Sequence, residues 1–297
     1  MVGTSRKPKS AVALLVINQI PDLPALAVNS ILQNSALPIY IGTVRDQDRI
    51  GIPKNDRIHY VDLSLEASKL SISFKGAAYE SFEEDAFFSI VQLKWVLFRK
   101  VSEITECDFL IYNDIDVFWL RPVLPDLLAA FDKSPSTQVM IQHFSWIPGQ
   151  PQLCMGFVAF RSGKYVDSLI KKASVLHAQM LEKNPRSGDD DVITEIYRME
   201  QFPLEIQLLP QTTFPVGNLL NLFAKRAQFP GLDPFTPYIF HANFVVGLAK
   251  KLMITRIAYR QHDLSFSSVQ LRKRLLLRLK IFIYRAYSEF RRIVKPQ

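Results

Sequence analysis

Short unbroken blocks of apolar residues alternate along this chain with stretches of helical period, the order expected of a parallel α/β sheet. Ala11 to Asn18, Ile39 to Val44 and Ile58 to Val61 read as the first three strands. Between the first two, Asp22 reads as an N-cap and Pro24 falls in the first turn of a helix running to about Asn34. The polar segment Asp62 to Asp85 predicts an irregular loop, and a helix from about Ala86 to Val101 leads into a strand at Phe109 to Tyr112. Beyond it come a helix near Leu124 to Phe131, a strand near Val139 to Gln142, a loop carrying Trp146 to Gly149 and a strand from Gly156 to Phe160. Tyr165, Leu169, Ala173, Leu176 and Met180 mark one face of a long helix, and Asp189 to Met199 a shorter one. Glu205 to Leu209 and Tyr238 to Phe240 read as late strands.

The pattern breaks most sharply in Phe109 to Pro122, FLIYNDIDVFWLRP, where an apolar run stops at Asp114 and Asp116. A continuous apolar run of strand-forming residues belongs to a central strand buried on both faces, and carboxylates do not belong in such a core. The two aspartates must therefore emerge at the carboxyl end of the strand, where open α/β sheets place their ligands. In an extended segment residues i and i+2 point to one side, so both carboxylates address one ion. A hard divalent cation such as Mn²⁺ or Mg²⁺ relieves their mutual repulsion and completes its shell with water and substrate phosphate. Without their flanks, two aspartates one residue apart more often mark a solvated turn. The apolar strand before them and the block Val117-Phe118-Trp119-Leu120-Arg121-Pro122 after them make the signal specific.

Those residues resemble the signature of the DxD nucleotide-diphospho-sugar transferases of the GT-A fold. Four further segments are similar to that family's motifs and occur in its order. They are Gly156-Phe157 with Phe160-Arg161-Ser162; Asp189-Asp190-Asp191 through Glu195; Leu209-Pro210 with Phe214-Pro215 and Gly217; and His241-Ala242-Asn243 with Gly247 and Lys250-Lys251. The resemblance covers roughly Ala11 to Met253. It implies an α/β GT-A fold, a Rossmann-like mixed sheet flanked by helices, as one large domain over residues 10–265.

Several roles follow from the resemblance, each beside a bottom-up reading. His241, after the apolar run Tyr238-Ile239-Phe240, is implied as the third metal ligand beside Asp114 and Asp116. Gly247 would let backbone approach a diphosphate, and Lys250 or Lys251 would supply a point charge to it. Lys94, on a mostly apolar helix, either snorkels to solvent or reaches the diphosphate. Asn18 and Asp46 close the first two strands, where this fold holds the base and ribose, and a carboxylate at Asp46 suits ribose hydroxyls. Asp189, Asp190 and Asp191 after Gly188 fit a helix N-terminus on physical grounds; the resemblance places the segment against the sugar. Asp190 and Thr194 stand where the family has glutamine and asparagine, and Cys154 where many relatives have asparagine. Asp189, Asp190 and Gln142 are the candidate catalytic groups near the sugar.

Composition adds one feature. The chain of 297 residues has 36 basic and 28 acidic side chains, and residues 271–297 carry nine basic ones against Glu289 alone, leaving 27 of each elsewhere. The excess charge of +8 therefore belongs to the tail. There Leu271, Leu275, Leu279, Phe282, Ala286, Phe290 and Ile293 recur at helical steps, so 266–297 predicts a basic amphipathic helix, suited to an anionic membrane surface or to docking on its own domain. No nucleic-acid motif accompanies the charge, and nucleic acid is not an expected partner. Two cysteines, Cys107 and Cys154, imply no disulfide framework. Read as a complete chain, it lacks the N-terminal anchor usual in Golgi transferases, and a cytoplasmic protein, peripheral on the membrane, is expected.

The resulting expectation is a metal-dependent transferase using a nucleotide-sugar donor, UDP-linked by preference, with retention implied by related families. The acceptor is a glycan, lipid-linked or protein hydroxyl. Two alternatives share the Asp-x-Asp signal: a haloacid-dehalogenase-like phosphatase, and a GT-A-like domain that binds without catalysis.

Overall fold

Ser10 to Leu15 form β1, and every one of the six side chains is buried. The reason is position: in this computed structural model, β1 lies between two neighbours in a seven-stranded sheet and is covered on both faces. The structure describes residues 9–17, 22–72, 85–147, 150–199, 205–217, 237–243 and 251–252. In chain order, β1 is followed by α1 (Asp22–Asn34), β2 (Ile39–Thr43), β3 (Ile58–Asp62), α2 (Ser64–Lys69), α3 (Asp85–Val91), α4 (Leu93–Thr105) and β4 (Phe109–Asn113). Then come β5 (Val117–Trp119), α5 (Leu124–Lys133), β6 (Thr137–Ile147), β7 (Gln150–Arg161), α6 (Lys164–Lys183), α7 (Asp189–Arg198), β8 (Glu205–Leu208) and β9 (Ile239–His241).

The main sheet runs β3-β2-β1-β4-β7-β6-β8, and β5 with β9 forms a separate two-stranded ribbon. The first four strands are mutually parallel, and β7 runs antiparallel to both β4 and β6. Alternation along β1 divides the core in two. Val12, Leu14 and Val16 join Leu23, Ala27, Val28 and Ile31 of α1 and Leu127 and Phe131 of α5 on one face. Ala11, Ala13, Leu15 and Ile17 join α4, α6 and α7 on the other, through Trp95, Phe98, Leu169, Val192 and others. Each large aliphatic side chain buried this way contributes roughly 1.5–3 kcal/mol.

Four elements depart from the sequence pattern. The segment predicted as a loop from Asp62 contains α2, and the single helix predicted over Ala86 to Val101 is two, α3 and α4. They meet at Gln92, where bonds from Gln92 N to Ser89 O and from Trp95 N to Gln92 O tighten the chain to 3₁₀ spacing. The predicted loop at Trp146 and Ile147 is instead the end of β6, which forms a long hairpin with β7. The short apolar triplet Val117 to Trp119, with no alternation to announce it, becomes β5 because β9 supplies its partner.

Within the hairpin the register jumps. Ile141 faces Val158, but Gln142 faces Cys154, so Met155, Gly156 and Phe157 bulge away from β6. They stay with β4: Phe157 pairs with Asn113, and the amide of Asp114 donates to Gly156 O at 2.8 Å. Bulges of this kind re-aim side chains beside functional sites.

Candidate active site

β4 ends at Asn113, and the aspartates follow in a tight turn closed by Val117 N donating to Asp114 O at 3.0 Å. The carboxylates are therefore brought together by a turn, not by the extended i, i+2 geometry expected from the sequence. Asn113, fully buried, holds that turn: its Nδ2 donates to Asp114 O (2.8 Å) and Val117 O (2.9 Å), and its Oδ1 accepts from Trp119 Nε1 (2.8 Å). Neutral polar residues inside an apolar run were the only sequence signal for it.

Each aspartate has its own cation. Lys94 does not snorkel; it is 5% exposed, and its ammonium sits 3.0 Å from Asp114 Oδ1 and 2.7 Å from Asp189 Oδ2. Burial alone would lower the Lys94 pKa, but Asp114 and Asp189 outweigh it and raise it well above the ordinary lysine value. Tyr112 Oη donates to Asp114 Oδ1 at 2.7 Å. Burial, eased by Lys94 and reinforced by Asp116 and Asp189, raises the Asp114 carboxyl. At Asp116 burial pushes upward too, but the Lys251 ammonium, paired with Oδ2, holds the carboxyl far below the usual range.

His241 arrives from the far end of the chain. β9 pairs antiparallel with β5, setting His241 opposite Val117, and Ala242 N donates to Asp116 O at 2.9 Å. The ring is 2% exposed, with Nε2 3.5 Å from Asp116 Oδ1 and Nδ1 3.2 Å from Gln142 Oε1. Its Cε1 corner abuts the bulge at Gly156, where a Cβ would meet Cε1 at 2.2 Å. One ligand atom from each of Asp114, Asp116 and His241 lies within 4.8 Å of the others. Two carboxylates and an imidazole converging in this way suit a divalent cation of the Mn²⁺ or Mg²⁺ class.

The three consecutive aspartates divide their work. Asp189 is the buried partner of Lys94, Asp190 Oδ1 accepts from Met155 N at 2.6 Å, and Asp191 Oδ2 accepts from Gly188 N at 2.9 Å, capping α7. Only the last fits the helix-terminus reading. Burial, then the neighbouring Asp189 charge, pushes the Asp190 carboxyl well above its ordinary value. Thr194 Oγ1 accepts from Leu153 N at 2.9 Å, so α7 is stitched to the bulged strand at both exchanged positions. The loop before α7 is fixed by fully buried His177, which the sequence reading missed: Nδ1 accepts from Trp95 Nε1 (2.9 Å) and Nε2 meets Ser187 O (3.1 Å).

Gln142, expected as a candidate catalytic group, lies beside His241. It is fully buried, and its amide is occupied by His241, Phe214 O and Pro215 O. At the end of β2, Asp46 is solvent-exposed beside Arg49, while the unpredicted Asp48 is buried and receives Val44 N and Arg45 N. Asn18, Gly247, Lys250 and the tail helix lie outside the described residues.

The family model for nucleotide-diphospho-sugar transferases matches residues 57–254, two thirds of the chain and all of the elements just described from β3 to β9. The chain belongs to that family. The transferase also shares its fold with solved glycosyltransferases. It is similar to the galactosyltransferase LgtC in complex with donor and acceptor sugar analogs, at 12% identity, TM-score 0.55, 89% of this chain and 99% of that one. It is similar to mouse xyloside xylosyltransferase 1, at 14% identity, TM-score 0.50, covering 81% and 99%. It also resembles a glycosyltransferase involved in glycosylation of the major capsid of PBCV-1, at 9% identity, TM-score 0.52, covering 84% and 100%. No curated protein matches by sequence. The mixed-sheet GT-A expectation is thus met, and membership of a transferase family sets the phosphatase alternative aside.

Proposed function

We propose that this transferase moves a sugar from a nucleotide diphosphate, UDP-linked by preference, to a hydroxyl of a glycan, lipid-linked or protein acceptor, with retention at the anomeric carbon. The observation that carries the reading is the convergence of Asp114, Asp116 and His241 at the carboxyl end of β4 in a member of this family. These three residues would hold Mn²⁺ or Mg²⁺. When bound, the ion supplies Lewis acidity to the departing diphosphate.

The chain's own groups do the rest. Lys251, paired with Asp116, would add an ammonium on the side where leaving-group charge develops, and Lys94 fixes Asp114 and Asp189 in one ionic cluster. Asp189 and Asp190 border the region that faces the sugar, and Asp190 is the candidate for the β-face of the anomeric carbon. Residues 266–297 are proposed to hold the protein on an anionic membrane surface; among the described residues no helix is long and apolar enough to cross one.

A screen of sugar nucleotides tests the reading without knowledge of the acceptor. Mn²⁺-dependent release of UDP from one donor is expected, abolished in Asp116→Ala with the fold retained. Phosphate release from a simple ester with no nucleotide released from any donor would sink the proposal.

A further inference from the structure

Gln142 has a fully determined amide. Its Nε2 donates to the carbonyls of Phe214 (3.3 Å) and Pro215 (2.9 Å). Reversing the amide would press its oxygen against two carbonyl oxygens in a buried site, so the Phe214-Pro215 segment sets the orientation independently of the histidine. Oε1, an acceptor only, is left facing His241 Nδ1 at 3.2 Å. The imidazole must then carry hydrogen on Nδ1, and a neutral ring so protonated has its lone pair on Nε2. Nε2 is the atom aimed at the aspartates, 3.5 Å from Asp116 Oδ1, longer than the roughly 2.7–3.2 Å of a good N–H···O bond.

We propose that Gln142 is a positioning residue: it fixes the tautomer of His241 so that Nε2 faces Asp114 and Asp116 bare, the form a nitrogen needs to ligate a cation. This replaces the catalytic role expected for Gln142. It also gives a physical reason for the Phe214-Pro215 element, whose carbonyls aim the amide, and for the register jump that seats Gln142 opposite Cys154. The tautomer is a property of the protein alone, whereas the ligand role rests on the metal reading above.

The two halves are separable by experiment. With histidine-selective ¹⁵N labelling, five histidines give a tractable spectrum, and His241→Asn assigns the signal. In metal-free protein, at a pH where the ring is neutral, hydrogen on Nδ1 is expected. A wild-type ring protonated on Nε2 overturns the inference while leaving the metal reading intact. For the ligand role, calorimetry with Mn²⁺ alone should show Gln142→Leu weakening affinity about 10- to 100-fold. In the His241→Asn background Gln142→Leu should add nothing; an undiminished effect there marks general damage and overturns the positioning role. Should Gln142→Leu not fold, the wild-type spectrum still decides the tautomer on which the proposal stands. A wild-type protein that binds no Mn²⁺ refutes the metal reading and the ligand role together, and the spectrum still decides the tautomer.

Discussion

Gly156→Ala probes the frame around His241 most directly. A Cβ at this position would stand 2.2 Å from Cε1, 2.7 Å from Nε2 and 3.1 Å from Nδ1 of the ring. Carbon atoms in contact settle about 3.5 Å apart, so the ring must withdraw by about 1.3 Å along the first of these contacts. It has no free direction: β9 is paired to β5, Gln142 holds Nδ1, and the ring is buried. Overpacking a core of this kind costs about 1–3 kcal/mol. Metal ligands tolerate displacements of only about 0.2 Å, so a shift several times larger should weaken Mn²⁺ binding at least about tenfold. Urea denaturation and calorimetry measure the two effects in one protein. Gly188→Ala is the comparison, because there a Cβ meets the Phe88 ring at 3.7 Å and Asp191 Oδ2 at 3.8 Å, both ordinary contacts, and loss of a glycine N-cap costs about 1 kcal/mol or less. Wild-type stability together with wild-type Mn²⁺ affinity in Gly156→Ala would show that the ring does not rest on the bulge, and the argument for the site's geometry would fail with it.

Other outcomes follow from the same contacts. Lys94→Met leaves the half-buried Asp114 and the buried Asp189 facing each other without their shared cation, and about 3–5 kcal/mol of stability should be lost in denaturant titrations; a loss under about 1 kcal/mol would mean the cluster is hydrated. Asn113→Leu removes two donors to the turn and the acceptor for Trp119 Nε1, each vacated buried group costing roughly 1–3 kcal/mol, and Mn²⁺ affinity should fall with stability; affinity preserved at reduced stability would show that the turn holds its shape without Asn113. Burial lowers the His177 pKa, and a proton on Nδ1 would displace the Trp95 bond. The unfolded chain therefore binds more protons than the folded one below about pH 6.5. Stability should fall as pH drops through that value toward the depressed folded pKa, and His177→Asn should flatten the slope; an unchanged slope would assign it to other groups.

What could be read from the sequence was what local period and local chemistry encode. The apolar block Phe109 to Tyr112 announced a central strand, and Asp114, Asp116 and His241 announced hard ligands at strand ends. The residues that hold them were not legible, because their meaning depends on partners far along the chain. Gln142 reads as any polar residue closing a strand until Phe214 and Pro215 are seen to aim its amide. Gly156 reads as a strand glycine until His241 covers it. Lys94 was ambiguous because helical period alone puts it on the buried side of α4 without saying which carboxylates neutralise it. In the aspartate triplet, only Asp191 does what its place at a helix start dictates. Asp189 and Asp190 are recruited by Lys94 and by the amide of Met155, which no neighbouring residue foretells.

The two-stranded ribbon has a consequence for how the molecule comes into being. Among the described residues, the seven-stranded sheet has all its strands once the chain reaches Leu208, but the ribbon joins residue 117 to residue 241, 124 positions later. Pairings that span such a distance close late, and a chain made from its N-terminus orders its early elements first. A nascent chain can therefore display Asp114 and Asp116 on a formed strand before His241 has been synthesised, with Lys94, made earlier still, as the counterion at hand. Among the described residues the site is therefore expected to close after the sheet, and a chain halted short of β9 is expected to keep its sheet while lacking the histidine.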